Sequence, residues 1–132
     1  DVFTLDTNNL EIGEYEYLCI VHPWMIATLI IEAPKEPTKV IMPAGAALTS
    51  DEQIYYDPQI IEIEVGTTVV WDNADNTVHT VTSGQAPADA DGLFDSEMMA
   101  AGAAFEFTFT EEGSYDYYCT FHPWMVGTVN VE

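Results

Sequence analysis

Basic residues are almost absent from this sequence. Lys and Arg together number 2 against 23 Asp and Glu, so the formal net charge at pH 7 is −21. Both bases, Lys35 and Lys39, lie in one short segment. Such a surface repels nucleic-acid phosphates, which excludes a nucleic-acid partner. Because salt screens the self-repulsion, the composition suits a saline environment, a cationic partner or both. An acidic face that only keeps the protein in solution is the alternative.

Long apolar runs are missing as well. The apolar stretches are much shorter than the roughly 20 residues that a membrane-spanning helix needs. The sequence starts DVFT, without the basic and apolar segments of a signal peptide, so we expect the start of a mature or truncated protein. The 132 residues, 48% of them hydrophobic, suffice for one well-packed core and are not typical of a disordered chain.

Cysteine and histidine are scarce, with two Cys and three His in the chain. Cys19 and Cys119 could form a disulfide in an exported protein. Each of them, however, opens the same motif, CIVHPWM at residues 19–25 and CTFHPWM at residues 119–125. A Cys that stands twice at the same distance from a His and a Met favours metal binding over a disulfide.

The two motifs belong to a longer repeat. Residues 13–32 align with residues 113–132 without gaps, and 10 of the 20 positions are identical. The offset of 100 residues implies a unit of that length, of which only one fits into the chain. We therefore predict a partial repeat at residues 1–32, which keeps its last strands and its Cys-His-Met loop, a Pro-containing linker at residues 33–39, and a complete domain at residues 40–132.

The complete domain has the pattern of an all-β fold. Residues 61–65 alternate apolar and acidic side chains, and residues 105–109 place three Phe rings on one face. Further strands are predicted at residues 69–71, 78–81, 115–119 and 126–131. The Gly, Pro, Ala and Asp content of residues 83–92 predicts a loop. Short strands at this spacing, without helical periodicity, predict a Greek-key β-sandwich of two sheets, preceded by the hairpin remnant of a second unit.

The second motif places three soft or borderline metal ligands close together. The thiolate of Cys119, the imidazole of His122 and the thioether of Met125 suit copper that alternates between Cu(I) and Cu(II), whereas structural zinc takes more thiolates or imidazoles and not Met. Blue-copper electron-transfer sites combine two His, one Cys and a distant Met. The fourth ligand must come from elsewhere, and His79 is the one remaining candidate.

The first motif offers Cys19, His22 and Met25 but no fourth ligand. We treat it as an incomplete second metal site, since one His79 per chain allows one complete site. Three explanations stay open. The chain is a piece of a protein with two such units; residues 1–32 self-associate with another copy, in which Cys19 meets the other copy's His79; or the segment is a relic that binds nothing.

Three stretches, at residues 63–71, 78–81 and 113–129, give the chain its resemblance to a known family. Together they resemble the cupredoxins, the family of plastocyanin, amicyanin and archaeal halocyanin-like proteins, which are small β-sandwiches that carry single electrons on type 1 copper. The short Cys-x2-His-x2-Met loop is similar to the amicyanin type. The resemblance also suggests a saline-adapted, archaeal source.

The resemblance implies specific roles for the four ligands. His79, Cys119 and His122 would be the strong ligands of one type 1 copper ion per chain, and Met125 the weak axial one. The chain departs from the family at Thr80, where many members have an Asn that ties the two ligand segments together. The hydroxyl and the backbone N–H of Thr could make the same hydrogen bonds.

The function that we expect is electron transfer rather than catalysis. Multicopper oxidases add His-x-His pairs, and copper nitrite reductases place a His directly after the Cys; this chain has neither, with Thr120 and Ile20 after its two Cys. Its partner would be a redox protein. One alternative is copper storage or delivery, which the five Met favour weakly. The other is an electron-transfer part of a larger copper oxidase or reductase.

Two surfaces could meet such a partner. Pro123 and Trp124, next to His122, are candidates for an apolar docking patch, although Trp124 could instead cap the core. Three acidic clusters could steer a cationic partner: Asp72/Asp75, Asp89/Asp91/Asp95 and Glu111/Glu112/Asp116. We expect an exported protein on the periplasmic or extracellular face, with membrane attachment open for the full-length protein.

Overall fold

A computed structural model describes residues 4–5, 10–32, 35–50 and 53–132. These residues form ten β-strands and no helix, and none of them belongs to a helix long and apolar enough to cross a bilayer. The all-β class is therefore confirmed. The chain divides into two compact units, Asp1–Pro34 and Lys35–Glu132, which we call the hairpin unit and the sandwich unit.

The hairpin unit contains one antiparallel two-stranded sheet. Strands β1 (Gly13–Leu18) and β2 (Ile26–Ile31) pair in a register that sets Tyr17 opposite Ala27. The ligand loop at residues 19–25 connects them. Because two strands alone cannot cover each other's apolar side chains, large groups stay exposed, among them Tyr17 at 61%.

The sandwich unit is built from two sheets. The first sheet contains five strands, in the order β4 (Ile60–Ile63), β10 (Val126–Val131), β9 (Gly113–Tyr118), β6 (Thr82–Gln85), β7 (Asp89–Asp95). The second contains three, in the order β3 (Thr38–Met42), β5 (Thr68–Asn73), β8 (Ala104–Thr108). The pairs β4–β10 and β3–β5 are parallel and the others antiparallel. The predicted sandwich is confirmed.

The core of the sandwich centres on Trp71 of β5, which is fully buried. Its ring lies 5.5 Å from that of Tyr117 and 5.8 Å from that of Phe94, both on the opposite sheet. Phe109 belongs to the core cluster, and the partly buried Phe105 and Phe107 pack against it, as their alternation predicts. Burying an aromatic side chain of this kind contributes about 1.5–3 kcal/mol, so these rings hold the two sheets together.

Two predicted elements were wrong. Residues 83–92, predicted as a loop, contain most of β6 and most of β7. The Ser83 hydroxyl accepts the Phe94 N–H and donates to the Phe94 carbonyl, so it replaces a rung of the ladder at a bulge. Gly84 has a φ of 121° there, and a Cβ would collide with the backbone of Asp89 and Ala90. The strand predicted at residues 78–81 is instead one isolated bridge between His79 and Met99.

The segment predicted as a linker, residues 33–39, is strand in its last part, because β3 starts at Thr38. Residues 33–34 lie outside the described part of the chain. The Lys35 ammonium donates to the Glu64 carboxylate at 2.9 Å and to the Val65 carbonyl at 2.8 Å, so the start of the sandwich unit is attached next to β4.

Candidate metal centre

The ends of two paired strands bring the predicted ligands of the sandwich unit to one place. Cys119 directly follows β9, and His79 lies three residues before β6. These strands pair with Thr82 opposite Tyr118. Since the pair is antiparallel, the end of β9 and the start of β6 meet at one edge of the sheet, which places Cys119 beside the segment that carries His79.

The ligand atoms of this cluster lie close together. The Cys119 sulfur is 3.5 Å from His122 Nδ1 and 3.8 Å from His79 Nδ1. Among the described residues these three form the one group of His, Cys and acidic side chains with the spacing of a metal site, with ligand atoms within 4.8 Å of one another. Cys119 and His79 are fully buried and His122 is half-buried.

Backbone hydrogen bonds give the loop its shape and fix the position of Met125. The Met125 N–H donates to the His122 carbonyl at 2.8 Å, and the Cys119 N–H donates to the Met125 carbonyl at 3.1 Å. Met125 is fully buried. The loop therefore holds Cys119, His122 and Met125 in one tight turn between β9 and β10.

Thr80 connects the two ligand segments. Its backbone N–H donates to the Cys119 sulfur at 3.3 Å, and its hydroxyl oxygen accepts the Thr120 N–H at 2.9 Å. The hydroxyl and the backbone N–H of Thr80 thus both tie the two ligand segments together, as was predicted for Thr in place of the family's Asn. A thiolate that accepts an N–H is held in orientation and stabilised in its charged form.

The prediction that Asp75 belongs to an acidic cluster that steers a partner was wrong. Asp75 was placed in an exposed steering cluster with Asp72, but it is 4% exposed and its carboxylate lies 2.8 Å from His79 Nε2. An ionised carboxylate can only accept, so Nε2 donates its proton to Asp75, and Nδ1 is the ring nitrogen that faces Cys119. A buried carboxylate behind a ligating His is a common arrangement in metal sites.

Hydrogen bonds also explain the charge state of Asp75. Burial raises the pKa of its carboxyl, but bonds from the Gly45 N–H, the His79 ring and the N–H groups of Asn76 and Ala47 outweigh burial and hold the pKa at about 2. The signal was present in the sequence as the turn cluster at residues 72–76, where Asp side chains commonly bind nearby backbone N–H groups. Nothing in the sequence connected that turn with His79.

The Cys119 thiol is prepared for metal binding. Burial raises its pKa, but the contacts with His79, the Thr80 N–H and His122 outweigh burial and lower the pKa to about 6. Burial lowers the pKa of His79, whereas Cys119 and Asp75 raise it and prevail. At neutral pH the sulfur is therefore largely thiolate, which is the form that ligates metals. A buried thiolate beside two imidazoles and a thioether fits copper and does not fit hard cations.

The first motif has the same loop without the remaining ligand. The Cys19 sulfur is 3.6 Å from His22 Nδ1, and the Met25 N–H donates to the His22 carbonyl at 2.9 Å. His22 is the one His of the hairpin unit. Met25 is 57% exposed. The first motif thus repeats the shape of the loop but not the burial of its ligands.

The surface around His122 is apolar. The Trp124 ring packs edge-on against the His122 ring with centroids 5.3 Å apart, and Trp124 is 38% exposed while Pro123 is half-buried. Other side chains border a depression of about 360 Å³ that His122 lines: Thr77, Val78, Met98 and Phe121. These neighbours come from three separate segments of the chain, so their position around His122 could not be predicted from the sequence.

Comparisons with known proteins agree with this site. The model of the copper-binding proteins of the plastocyanin/azurin family matches residues 44–132. Amicyanin from Paracoccus versutus is 35% identical over 109 residues, which cover 83% of this chain and 82% of amicyanin. Halocyanin from Natronomonas pharaonis is 40% identical over 81 residues, 58% of this chain and 48% of halocyanin.

A solved structure extends the comparison to three dimensions. The purple cupredoxin from Nitrosopumilus maritimus is 41% identical, with a TM-score of 0.67, over 72% of this chain and 99% of that one. The family resemblance inferred from residues 63–129 is therefore confirmed by sequence and by structure. The chain belongs to the plastocyanin/azurin family of copper-binding proteins.

Proposed function

We propose that this protein carries single electrons on one type 1 copper ion bound by His79, Cys119, His122 and Met125. The observation that carries the proposal is the cluster of one thiolate and two imidazoles within 4.8 Å, beside a fully buried Met, in a chain of a copper-binding family. Copper bound there supplies the Cu(I)/Cu(II) couple.

The residues around the site are arranged to change little when an electron moves. The Asp75 carboxylate fixes the orientation of the His79 ring, and the Thr80 N–H holds the Cys119 sulfur. Met125 and Cys119 are fully buried, so water is kept from the two sulfur atoms. Such a rigid ligand set suits neither Cu(I) nor Cu(II) exclusively. An electron can therefore move on or off the copper quickly, with little rearrangement of the ligands.

A redox partner would approach at His122, the half-buried ligand. Its ring edge lies among exposed apolar side chains, and we propose that Pro123, Trp124 and Phe121 form the docking surface. Apolar contact of this kind suits a short-lived complex. The exposed acidic clusters Asp89/Asp91/Asp95 and Glu111/Glu112/Asp116 would attract a cationic partner at low salt.

We infer an electron carrier and not an enzyme, because two of the three histidines belong to this site and too few remain for a second catalytic copper. An electron-transfer role within a larger oxidase or reductase stays as the second candidate. The acidic surface and the family membership support export to the periplasmic or extracellular face, either free or attached to a membrane. We also propose that residues 1–32 mediate self-association with another copy of the chain.

Cyclic voltammetry on the copper-loaded protein, with visible absorption recorded alongside, tests the proposal. We expect an intense thiolate-to-copper absorption that bleaches on one-electron reduction and returns on reoxidation, with copper retained through repeated cycles under a chelator. Cys119→Ser should abolish the absorption and the wave, and the matched Cys19→Ser should keep both. Loss to the chelator, in each cycle, of the copper that gives this absorption would favour storage or delivery. The absence of an intense band would overturn the carrier proposal.

A further inference from the structure

We propose that the loop at residues 19–25 is a second, separate metal site, which binds Cu(I) through Cys19, His22 and Met25 and does not form a type 1 centre. The proposal does not rest on the function assigned to the sandwich unit. It starts from the geometry of the hairpin unit alone.

The loop is already shaped for a metal ion. Its Sγ–Nδ1 distance, Cys19 to His22, is 3.6 Å, against 3.5 Å for the corresponding pair of the other loop. The Cys19 N–H donates to the Met25 carbonyl at 3.1 Å, and the His22 N–H donates to the Cys19 carbonyl at 3.2 Å. Because these bonds fix the backbone of the loop, binding an ion costs little ordering of the chain.

The donor set selects the oxidation state. A thiolate and a thioether are soft ligands that favour Cu(I), whereas Cu(II) favours nitrogen and oxygen donors in a tetragonal arrangement. The hairpin unit has no second His with which to complete a type 1 set. Cys19, His22 and Met25 therefore offer three donors, two of them soft, to a Cu(I) ion.

The loop is also open where the other loop is closed. Met25 is 57% exposed and Trp24 is 76% exposed. Below the loop lies an apolar depression of about 520 Å³, lined by Tyr17, Leu18, Cys19, Met25, Ile26 and Ala27. An external ligand could reach an ion at Cys19 directly, so this site would exchange Cu(I) with solution more readily than a buried one.

The test is an anaerobic Cu(I) titration of the reduced apo-protein against the chromophoric chelator bicinchoninate. We expect the wild type to withdraw two equivalents of Cu(I) per chain, and Cys19→Ser and Cys119→Ser one each. Ile60→Val, which alters an exposed side chain of β4 outside both loops, should still withdraw two. A thiol count of two before loading excludes a disulfide as the cause of a low value.

Two results would overturn the second site: a single equivalent in the wild type, or a second equivalent that persists in Cys19→Ser. The electron-carrier proposal is tested separately, by the Cu(II) absorption that depends on Cys119. A Cys19→Ser protein with that absorption intact and one equivalent of Cu(I) lost supports both proposals.

Discussion

Two hairpins of this chain share half of their aligned residues and differ in everything that surrounds them. β9 and β10 lie in the middle of a five-stranded sheet, between β6 and β4. β1 and β2 form a sheet of two among the described residues. Tyr117 is 1% exposed and its counterpart Tyr17 61%; Met125 is 0% exposed and Met25 57%. Local sequence sets the loop, and neighbouring strands set its burial.

The difference separates what a ligand loop supplies from what a copper centre needs. Both loops hold a Cys sulfur and a His Nδ1 at nearly one distance, 3.6 Å and 3.5 Å. Only the sandwich unit adds His79, the Thr80 N–H and the Asp75 carboxylate, all from a segment about 40 residues away in sequence. The loop is necessary for a type 1 site and insufficient for one.

The largest expected effect comes from removing His79, the ligand that the sandwich unit has and the hairpin unit lacks. His79→Ala leaves the sandwich unit with the same three donors as the hairpin unit, so the intense thiolate-to-copper absorption should disappear. His22→Ala should leave it unchanged. Thermal unfolding of the apo-proteins serves as the control, since His79 is buried and bonded to Asp75. An intense band of wild-type strength in His79→Ala would contradict the ligand set.

A second comparison concerns one position of the strand that follows the loop. The hairpin unit has Ala27 opposite Tyr17, and the sandwich unit has Gly127 opposite Tyr117. A Cβ at Gly127 would overlap the Tyr117 ring, which is buried at 1% exposure, so the ring must shift to admit it.

We therefore expect Gly127→Ala to destabilise the protein. Overpacking costs about 1–3 kcal/mol, which exceeds the roughly 0.4–1 kcal/mol that a Gly-to-Ala change returns through the unfolded chain. The net loss should be about 1 kcal/mol, measured as a lower urea midpoint at unchanged m-value. Ala27→Gly is the matched control, with an expected change below about 1 kcal/mol. A rise in the midpoint for Gly127→Ala would refute the packing argument.

Thr80→Ala tests the connection that the first loop lacks. Removing the hydroxyl leaves the Thr120 N–H without the acceptor that it now has at 2.9 Å, which should cost about 1 kcal/mol and shift the reduction potential. Thr80→Ser keeps the hydroxyl and should keep the potential near that of the wild type. Equal potentials for Ala, Ser and wild type would show that this bond does not tune the site.

The smallest effect is expected at the two Met residues. Met125→Leu conserves volume, so it should cost less than about 1.5 kcal/mol. It should also move the potential and the band maximum, because the axial ligand tunes such centres. Met25→Leu should change neither. A shift of the Cu(II) spectrum in Met25→Leu would show that the two loops share one ion.

Much of the fold followed from periodicity. The Phe residues at 105–109 and the alternation at residues 61–65 predicted core-facing strands because side chains on a strand alternate between faces. The hairpin at residues 82–95 was not predicted, because its sequence lacks this alternation. Its Gly, Ala, Pro and Asp residues carry no alternation, and the pairing depends on Thr82 and Ser83 lying beside β9 and on the Ser83 hydroxyl bonds to Phe94.

The candidate site could likewise be predicted only in part from the sequence. Cys119, His122 and Met125 could be named from spacing, since one loop contains all three, and His79 could be named because the chain has so few His residues. Asp75 could not, because its carboxylate reaches His79 only through the fold. From sequence alone it was one more acid among 23, and burial is what distinguishes it.

A Cu(II) titration of the apo-protein, followed by visible absorption, tests the central claim most directly. The claim is that the sandwich unit completes a type 1 site and the hairpin unit does not. The account predicts an intense thiolate-to-copper band that rises to one equivalent per chain and stops. Saturation at two equivalents would show that Cys19 finds a second imidazole, and the absence of an intense band would contradict the site at Cys119.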